Sequence, residues 1–282
     1  MRKSAAREEI FGDNIIKFQK FGVKIGIRAD RKTHLKEVSK RLERVFTRGF
    51  EFLDESDIEY YFEIRSKKGS GGGELYRNGE KIGGDANPEV FFNVVESQIR
   101  LTVGEFAVGK VFLHAGVVGW KGRAIVIPAT SFSGKSTLTA ALVRKGAEYY
   151  SDEYAVLDAE GKVEPFPKWL SLRGIIDPWT QLDCPVEDLG GRAGVETIPV
   201  GLILIARYRE NKPIPKKWRP KKLRQGEAIM EILPHTLPIR NRPEFVLEVL
   251  NKLTKRAIIV KTVRGEAPDF AETLLNYLDL QT

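Results

Sequence analysis

The sequence predicts an α/β protein with a mixed sheet, arranged as two regions, and three observations carry that expectation. Short apolar runs alternate with stretches of helical apolar spacing along the 282-residue chain. A Gly-Lys-Ser-Thr tetrad at Gly134–Thr137 is flanked by an apolar run before it and an apolar helix face after it. Lys121-Gly122 joins two further apolar runs as a two-residue hairpin, which brings an antiparallel pair into the sheet.

Composition narrows the function classes. With 42% hydrophobic and 30% charged residues the chain reads as globular rather than disordered. Its longest apolar run, Val200–Ala206, is too short to span a bilayer, so no membrane role is expected. The N-terminus has no apolar signal region, and one cysteine, Cys184, allows no internal disulfide framework; a reducing cytoplasm is the expected location. The net charge of +8 is concentrated in part between Lys212 and Arg224, where seven Lys or Arg residues are interleaved with Pro213, Pro215 and Pro220. Proline excludes a regular helix there. Three readings compete for this extended basic segment: a solvated loop, an arm for an anionic partner, and a nucleic-acid patch, the last being the least favoured.

The N-terminal region, residues 1–105, alternates strands and helices. Phe21–Ile27, Ile58–Ile64 and Gly73–Ile82 read as strands. Thr33–Arg48 places Leu35, Val38, Leu42, Val45 and Phe46 on one helix face. Gly69–Gly73 has the composition of a phosphate loop, but no Lys-Ser/Thr pair follows, so it reads as a turn or linker. A second helix starts at Asn87 as N-cap with Pro88 in its first turn, turns Val90, Val94, Val95 and Ile99 inward, and ends near Gly109. This region either recognises an acceptor or extends the sheet.

In residues 106–282, Val111–Leu113 is a short strand leading to His114, and Ala115-Gly116 is a small-residue turn. The strands Gly116–Trp120 and Arg123–Ile127 form the hairpin. Strands are expected again at Glu148–Ser151, Tyr154–Leu157, Gly201–Arg207 and Ala257–Val263, and helices at Lys135–Lys145, Pro243–Lys255 and Pro268–Leu278.

The run Ala129-Thr130-Ser131-Phe132-Ser133-Gly134-Lys135-Ser136-Thr137 fits the phosphate-loop pattern, with Ala129 in place of the usual first glycine. Each part has a physical task. Backbone N–H groups of Ser133 to Ser136 can curl around phosphate oxygens at the positive end of the next helix. Gly134 permits close backbone approach, Lys135 neutralises the β- and γ-phosphates, and the Ser136 hydroxyl ligates Mg²⁺. ATP and Mg²⁺ are therefore the expected cofactors.

One helix later, Asp152 and Glu153 close the next strand. If that strand runs in the direction of the loop strand, both acids arrive at the phosphate edge of the sheet. An acid so near in sequence suits proton removal from an acceptor hydroxyl as well as metal binding. The bland alternative is a pair of exposed acids at a strand end. His114 is open to a structural or a functional reading. With three histidines and one cysteine, no zinc site is expected.

Together, His114-Ala115-Gly116, the hairpin into Ala129–Thr137 and Ser151-Asp152-Glu153 resemble the catalytic domain of HPr kinase/phosphorylase and its relatives. The resemblance covers roughly Phe112 to Asp158. Phe112–Val118 and Ser171-Leu172-Arg173 are similar to phrases in HPr-kinase-like proteins found beside peptide-maturation genes. It implies an α/β kinase core of the HPr kinase type behind an N-terminal α/β region. It implies Lys135 on the phosphates, Ser136 on the metal, Asp152 as base towards an acceptor serine, His114 beside the reacting phosphate, and Glu153 as the second acid. It further implies self-association. Ala129 for glycine and Glu153 for aspartate depart from the family pattern. Leu189–Gly194 is the candidate for the family's substrate-facing glycine segment, with a plain surface loop as its rival.

The leading expectation is a Mg-ATP-dependent kinase acting on a hydroxyl, foremost serine in a protein, a peptide or as a small molecule. Its catalytic residues would be Asp152, His114 and Lys135, with Ser136 and Glu153 on the metal and Arg173 as a candidate charge clamp. A nucleotide-dependent switch without transfer chemistry and a nucleic-acid-associated ATPase are the rivals, and the reverse phosphorylase direction stays open.

Overall fold

In the computed structural model, residues 14–54, 57–130, 133–173, 181–215 and 217–281 are described. The chain is mixed α/β and divides into two compact units, Met1–Val108 and Gly109–Thr282.

The first unit comprises β1 (Ile15–Lys20), β2 (Val23–Ala29), α1 (Lys32–Val45), β3 (Glu51–Phe52), β4 (Tyr60–Ser66), β5 (Gly73–Arg77), β6 (Glu80–Asp85) and α2 (Pro88–Phe106). The strands form one sheet in the order β3-β1-β2-β4-β5-β6, with β2 and β4 parallel and the other pairs antiparallel. Leu35, Val38 and Leu42 of α1 are buried, as the spacing predicts. Asn87 caps α2 by accepting from the amides of Glu89 and Val90.

Four expectations fail or shift here. Val90 lies on the exposed side of α2, whereas Phe91, Phe92, Val95, Ile99 and Val103 form the buried stripe. The helix stops at Phe106, before Gly109. Gly73–Ile82 is not one strand: Asn78-Gly79 turns it into the hairpin β5–β6, a signal the periodicity of the run conceals. The first predicted strand also shifts, since Phe21-Gly22 is the turn between β1 and β2.

The second unit adds β7 (Val111–Trp120), β8 (Arg123–Pro128), α3 (Lys135–Arg144), β9 (Glu148–Ser151), β10 (Tyr154–Leu157), β11 (Val163–Glu164), β12 (Leu170–Arg173), β13 (Gln181–Cys184), β14 (Val200–Tyr208), β15 (Lys221–Lys222), α4 (Gln225–Ile232), α5 (Pro243–Arg256), β16 (Ile258–Arg264) and α6 (Ala267–Asp279). Its main sheet runs β11-β10-β7-β8-β14-β16-β15, with β9 also on β7. β8, β14 and β16 are mutually parallel, and β7, β10, β11 and β15 pair antiparallel with their neighbours.

Both faces of this sheet are covered. Ile125 and Ile127 pack with α3 and α6 residues such as Leu138, Phe270 and Leu274. Ala124 and Val126 turn to the other face, with Val246, Val249 and Leu250 of α5. A strand buried on both sides needs a continuous apolar run, which Ala124–Ile127 supplies. Transferring these side chains out of water contributes about 25 cal/mol per Å² buried.

His114 does not end a strand. It lies within the ten-residue β7, and Ala115-Gly116 continues that strand instead of turning it. The basic segment is not wholly loop: Lys221–Lys222 pairs with β16, and Trp218 packs edge-on against Phe270 and Tyr277 while its indole N–H donates to Thr262 at 3.2 Å. No sequence signal suggested α4. Among the described residues no helix is long and apolar enough to cross a membrane.

Candidate functional site

β7 pairs antiparallel with both β8 and β9, so β8 and β9 point the same way. The C-terminal end of β9 therefore reaches the sheet edge where β8 passes into the segment Ala129–Thr137. Between β9 and β10 the chain bends at Asp152-Glu153, and the Glu153 carbonyl accepts from the Ala115 amide at 3.0 Å. This bend beside an otherwise continuous strand takes Asp152 out of the ladder and aims its carboxylate at the start of α3.

Gly134 precedes α3 with φ 77°, a left-handed conformation that costs an ordinary residue about 1–2 kcal/mol. Gly116 on β7 has a different task. A Cβ there would meet Thr139 Oγ1 at 2.5 Å and the Lys135 stem at 3.0 Å, so the small residue lets the first turn of α3 lie against the strand. Of the loop residues, Ala129 is buried, Thr130 and Thr137 are exposed, and Ser133, Gly134, Lys135 and Ser136 are half-buried. Ser131 and Phe132 lie outside the described residues.

Side chains converge at this edge. Lys135 Nζ donates to the Asp152 carbonyl at 2.7 Å and lies 3.4 Å from His114 Nε2. Ser136 Oγ donates to Asp152 Oδ2 at 3.0 Å. The Asp152 carboxylate, 2% exposed, also accepts from Tyr149 Oη at 3.0 Å, from the Ser171 amide at 3.0 Å and from Lys168 Nζ at 3.2 Å. Lys168 Nζ donates to Ser171 Oγ at 2.8 Å and stands 3.9 Å from Glu153.

The electrostatics follow from these contacts. Burial opposes the Asp152 charge, but the Lys168 ammonium, the Ser171 amide and Lys135 outweigh it and hold its pKa below the ordinary value. Burial lowers the Lys135 pKa against the pull of Asp152 and Glu153. Burial, aided by the Lys135 charge, depresses His114 to about 4. The ring is then neutral at pH 7, and one of its nitrogens can accept a hydrogen bond. His235 is depressed as well, by burial and by the nearby Lys135.

Lys168 and Arg264 were not legible as site residues. Lys168 sits in a Pro-rich connection 16 residues beyond Asp152. Arg264, 4% exposed, ends β16 and donates to the Gly134 carbonyl at 3.0 Å and the Gly265 carbonyl at 2.9 Å. The segment Leu189–Gly194 is more than a surface loop. The Tyr149 amide donates to the Arg192 carbonyl and the Gly194 amide to the Tyr149 carbonyl, both at 2.8 Å, so it flanks β9. Arg173 belongs to β12, whose Ser171 amide reaches Asp152.

The donor set fits magnesium. Mg²⁺ takes one or two protein oxygens and completes its shell with phosphate and water. Ser136 Oγ and the adjacent Asp152 carboxylate are such a pair. Among the described residues no group of three His, Cys, Asp or Glu side chains is placed to hold a metal ion.

A scan against protein-family models finds no match, and neither does a search of curated proteins. Seventeen solved chains match the structure. One is the Hpr(Ser) kinase/phosphatase from Coxiella burnetii, with 17% identity over 60% of this chain and 97% of that one, at a TM-score of 0.37. That is a distant structural relationship.

Proposed function

We propose that the protein is a phosphotransferase that moves the γ-phosphate of Mg-ATP to a hydroxyl, with serine, in a protein, a peptide or as a small molecule, as the leading acceptor. The observation that carries this reading is the 3.0 Å hydrogen bond from Ser136 to a buried carboxylate, with Lys135 on the same residue's carbonyl. A carboxylate so placed belongs to the γ-phosphate end of a phosphate loop.

Residues Ala129–Thr137 hold the phosphates, Lys135 leaving the Asp152 carbonyl for them. Ser136 and Asp152, with Glu153 beside them, hold the magnesium ion, which when bound neutralises charge on the transferring group. Asp152 orients the acceptor hydroxyl and takes its proton. Its two oxygens already accept four hydrogen bonds, about their full capacity, so a donor must yield for each new partner, the magnesium ion and the acceptor hydroxyl. The Lys168 contact at 3.2 Å is the longest of the four and the one the acceptor replaces. Because phosphoryl transfer passes through a loose transition state, a carboxylate of low pKa suffices to position the hydroxyl. Neutral His114, next to Lys135, faces the transferring group as a hydrogen-bonding side chain.

The test is incubation with γ-labelled ATP against free serine, small hydroxyl metabolites and serine peptides. Label should appear on a hydroxyl acceptor. Release of inorganic phosphate alone, with every acceptor unlabelled, would sink the transfer reading in favour of a switch or an ATPase.

A further inference from the structure

Arg264 is a buried guanidinium with no acid in contact; the Glu266 carboxylate acts on it only at longer range. Its hydrogen bonds go to carbonyls of Gly134 at 3.0 Å, Gly265 at 2.9 Å and Ser133 at 3.5 Å, and no carboxylate of the described residues lies within 4.0 Å of it. A buried cation is ordinarily paired with an anion, because burial without one is costly. Close by, Ser133 Oγ is buried and has no hydrogen-bond partner. The guanidinium lies 5.3 Å from the centroid of the Tyr208 ring, whose hydroxyl donates to Glu266 Oε1 at 2.7 Å.

The contacts have a geometric consequence. A trans peptide is planar, with its N–H directed opposite its C=O. By holding the Ser133 and Gly134 carbonyls, Arg264 turns the N–H groups of Gly134 and Lys135 away from itself. Those are two of the amides the phosphate loop would use. Gly134 is also the residue whose added Cβ would meet the guanidinium at 2.7 Å.

We propose that Arg264 is a positioning residue of the phosphate loop: it fixes the two loop amides, and the bound phosphate chain adds the negative charge that Glu266 supplies only at longer range. The proposal rests on the nucleotide reading above and deepens it. Nucleotide arrival then stiffens the junction between β16, which ends at Arg264, and α6. The same junction anchors the basic segment, because the Arg209 amide donates to the Arg264 carbonyl at 2.9 Å and the Lys212 backbone closes on Gly265.

The experiment measures binding of ATP and of pyrophosphate to wild type, Arg264→Met and Arg264→Lys by calorimetry, with melting temperatures taken with and without ligand. Arg264→Met should weaken both ligands at least tenfold and lose most of the ligand-induced rise in melting temperature, while melting within a few degrees of wild type without ligand. Arg264→Lys, which keeps the charge but loses the fork, should fall between. Unchanged affinity in Arg264→Met, with wild type binding normally, would overturn the proposal and leave the nucleotide reading intact. Failure of wild type to bind either ligand would instead remove the nucleotide reading, and this proposal with it. An Arg264→Met protein that unfolds without ligand would also overturn it, since the arginine would then be a structural strut.

Discussion

The two units each bury a cluster of charges, and the clusters differ in how completely they close. In the N-terminal unit Arg41 donates to Glu37 at 2.7 Å, Glu96 at 2.8 Å, and Glu89 and Asn93 at 2.9 Å, spreading its guanidinium over three acids and an amide. Glu96 gathers Arg44 and Arg100 as well. Arg41, Arg44 and Arg100 each meet a carboxylate within the same two helices. In the C-terminal unit Asp152 is equally well satisfied, but Arg264 hydrogen-bonds to carbonyls and meets Glu266 only at longer range, Ser133 Oγ has no partner, and Lys135 donates to a main-chain oxygen. A cluster that closes on itself is a fastening, whereas one that leaves cations short of anions has room for an anionic ligand.

The contrast can be broken most forcefully at Lys135. Lys135→Met should remove transfer by more than about 10³-fold and weaken ATP binding, because the phosphates lose their chief protein cation. A variant that keeps normal transfer, measured with labelled ATP, would take the loop out of the chemistry. Asp152→Asn should lower transfer by about 10²–10⁴-fold while leaving ATP affinity within a few-fold. It also strands Lys168, so the fold should lose about 3 kcal/mol in denaturant titration, and adding Lys168→Met should restore part of that stability but none of the activity.

In the closed cluster the expectation is reversed. Arg41→Met should cost about 3 kcal/mol of stability in its own unit, by stranding acids, and should leave the ATP dissociation constant unchanged. A shift in nucleotide affinity would show that the N-terminal cluster is not merely a fastening. A smaller effect is expected at Gly134: Gly134→Ala should cost about 1–2 kcal/mol from its left-handed backbone, with nucleotide affinity falling as Arg264 is displaced.

The last test uses pH. His114 has a folded pKa of about 4 against an ordinary 6.5, so the unfolded chain binds more protons between those values. Stability from this group is therefore complete above about pH 6.5 and is lost as pH falls towards 4, by up to about 3 kcal/mol. His114→Asn should flatten that acid limb in melts taken across pH 4–7. An unchanged limb would place the acid sensitivity elsewhere.

Much of this was readable from residue order. Local rules suffice for the Asn87 cap, the Lys121-Gly122 hairpin and the doubly buried run Ala124–Ile127, because each depends on neighbours a few positions away. The failures share a cause. Val90 and Phe91 differ by one position on a helix, and only packing decides which is covered. His114 looked like a strand end because Ala115-Gly116 resembles a turn, yet the small residues serve the approach of α3 to β7. Asp152 was singled out by its spacing after the loop, but its four donors come from three places in the sequence.

By itself, the sequence determined the α/β pattern, the phosphate-loop candidate at Ala129–Thr137 and the acid one helix beyond it, all of which rest on short-range periodicity and spacing. Tertiary structure alone decided that Lys168 closes on Asp152 and that Arg264, 130 residues from Gly134, stands behind the loop. Such pairings are set by strand order across the sheet and by the exclusion of water from the buried groups, neither of which is encoded in any local stretch of chain.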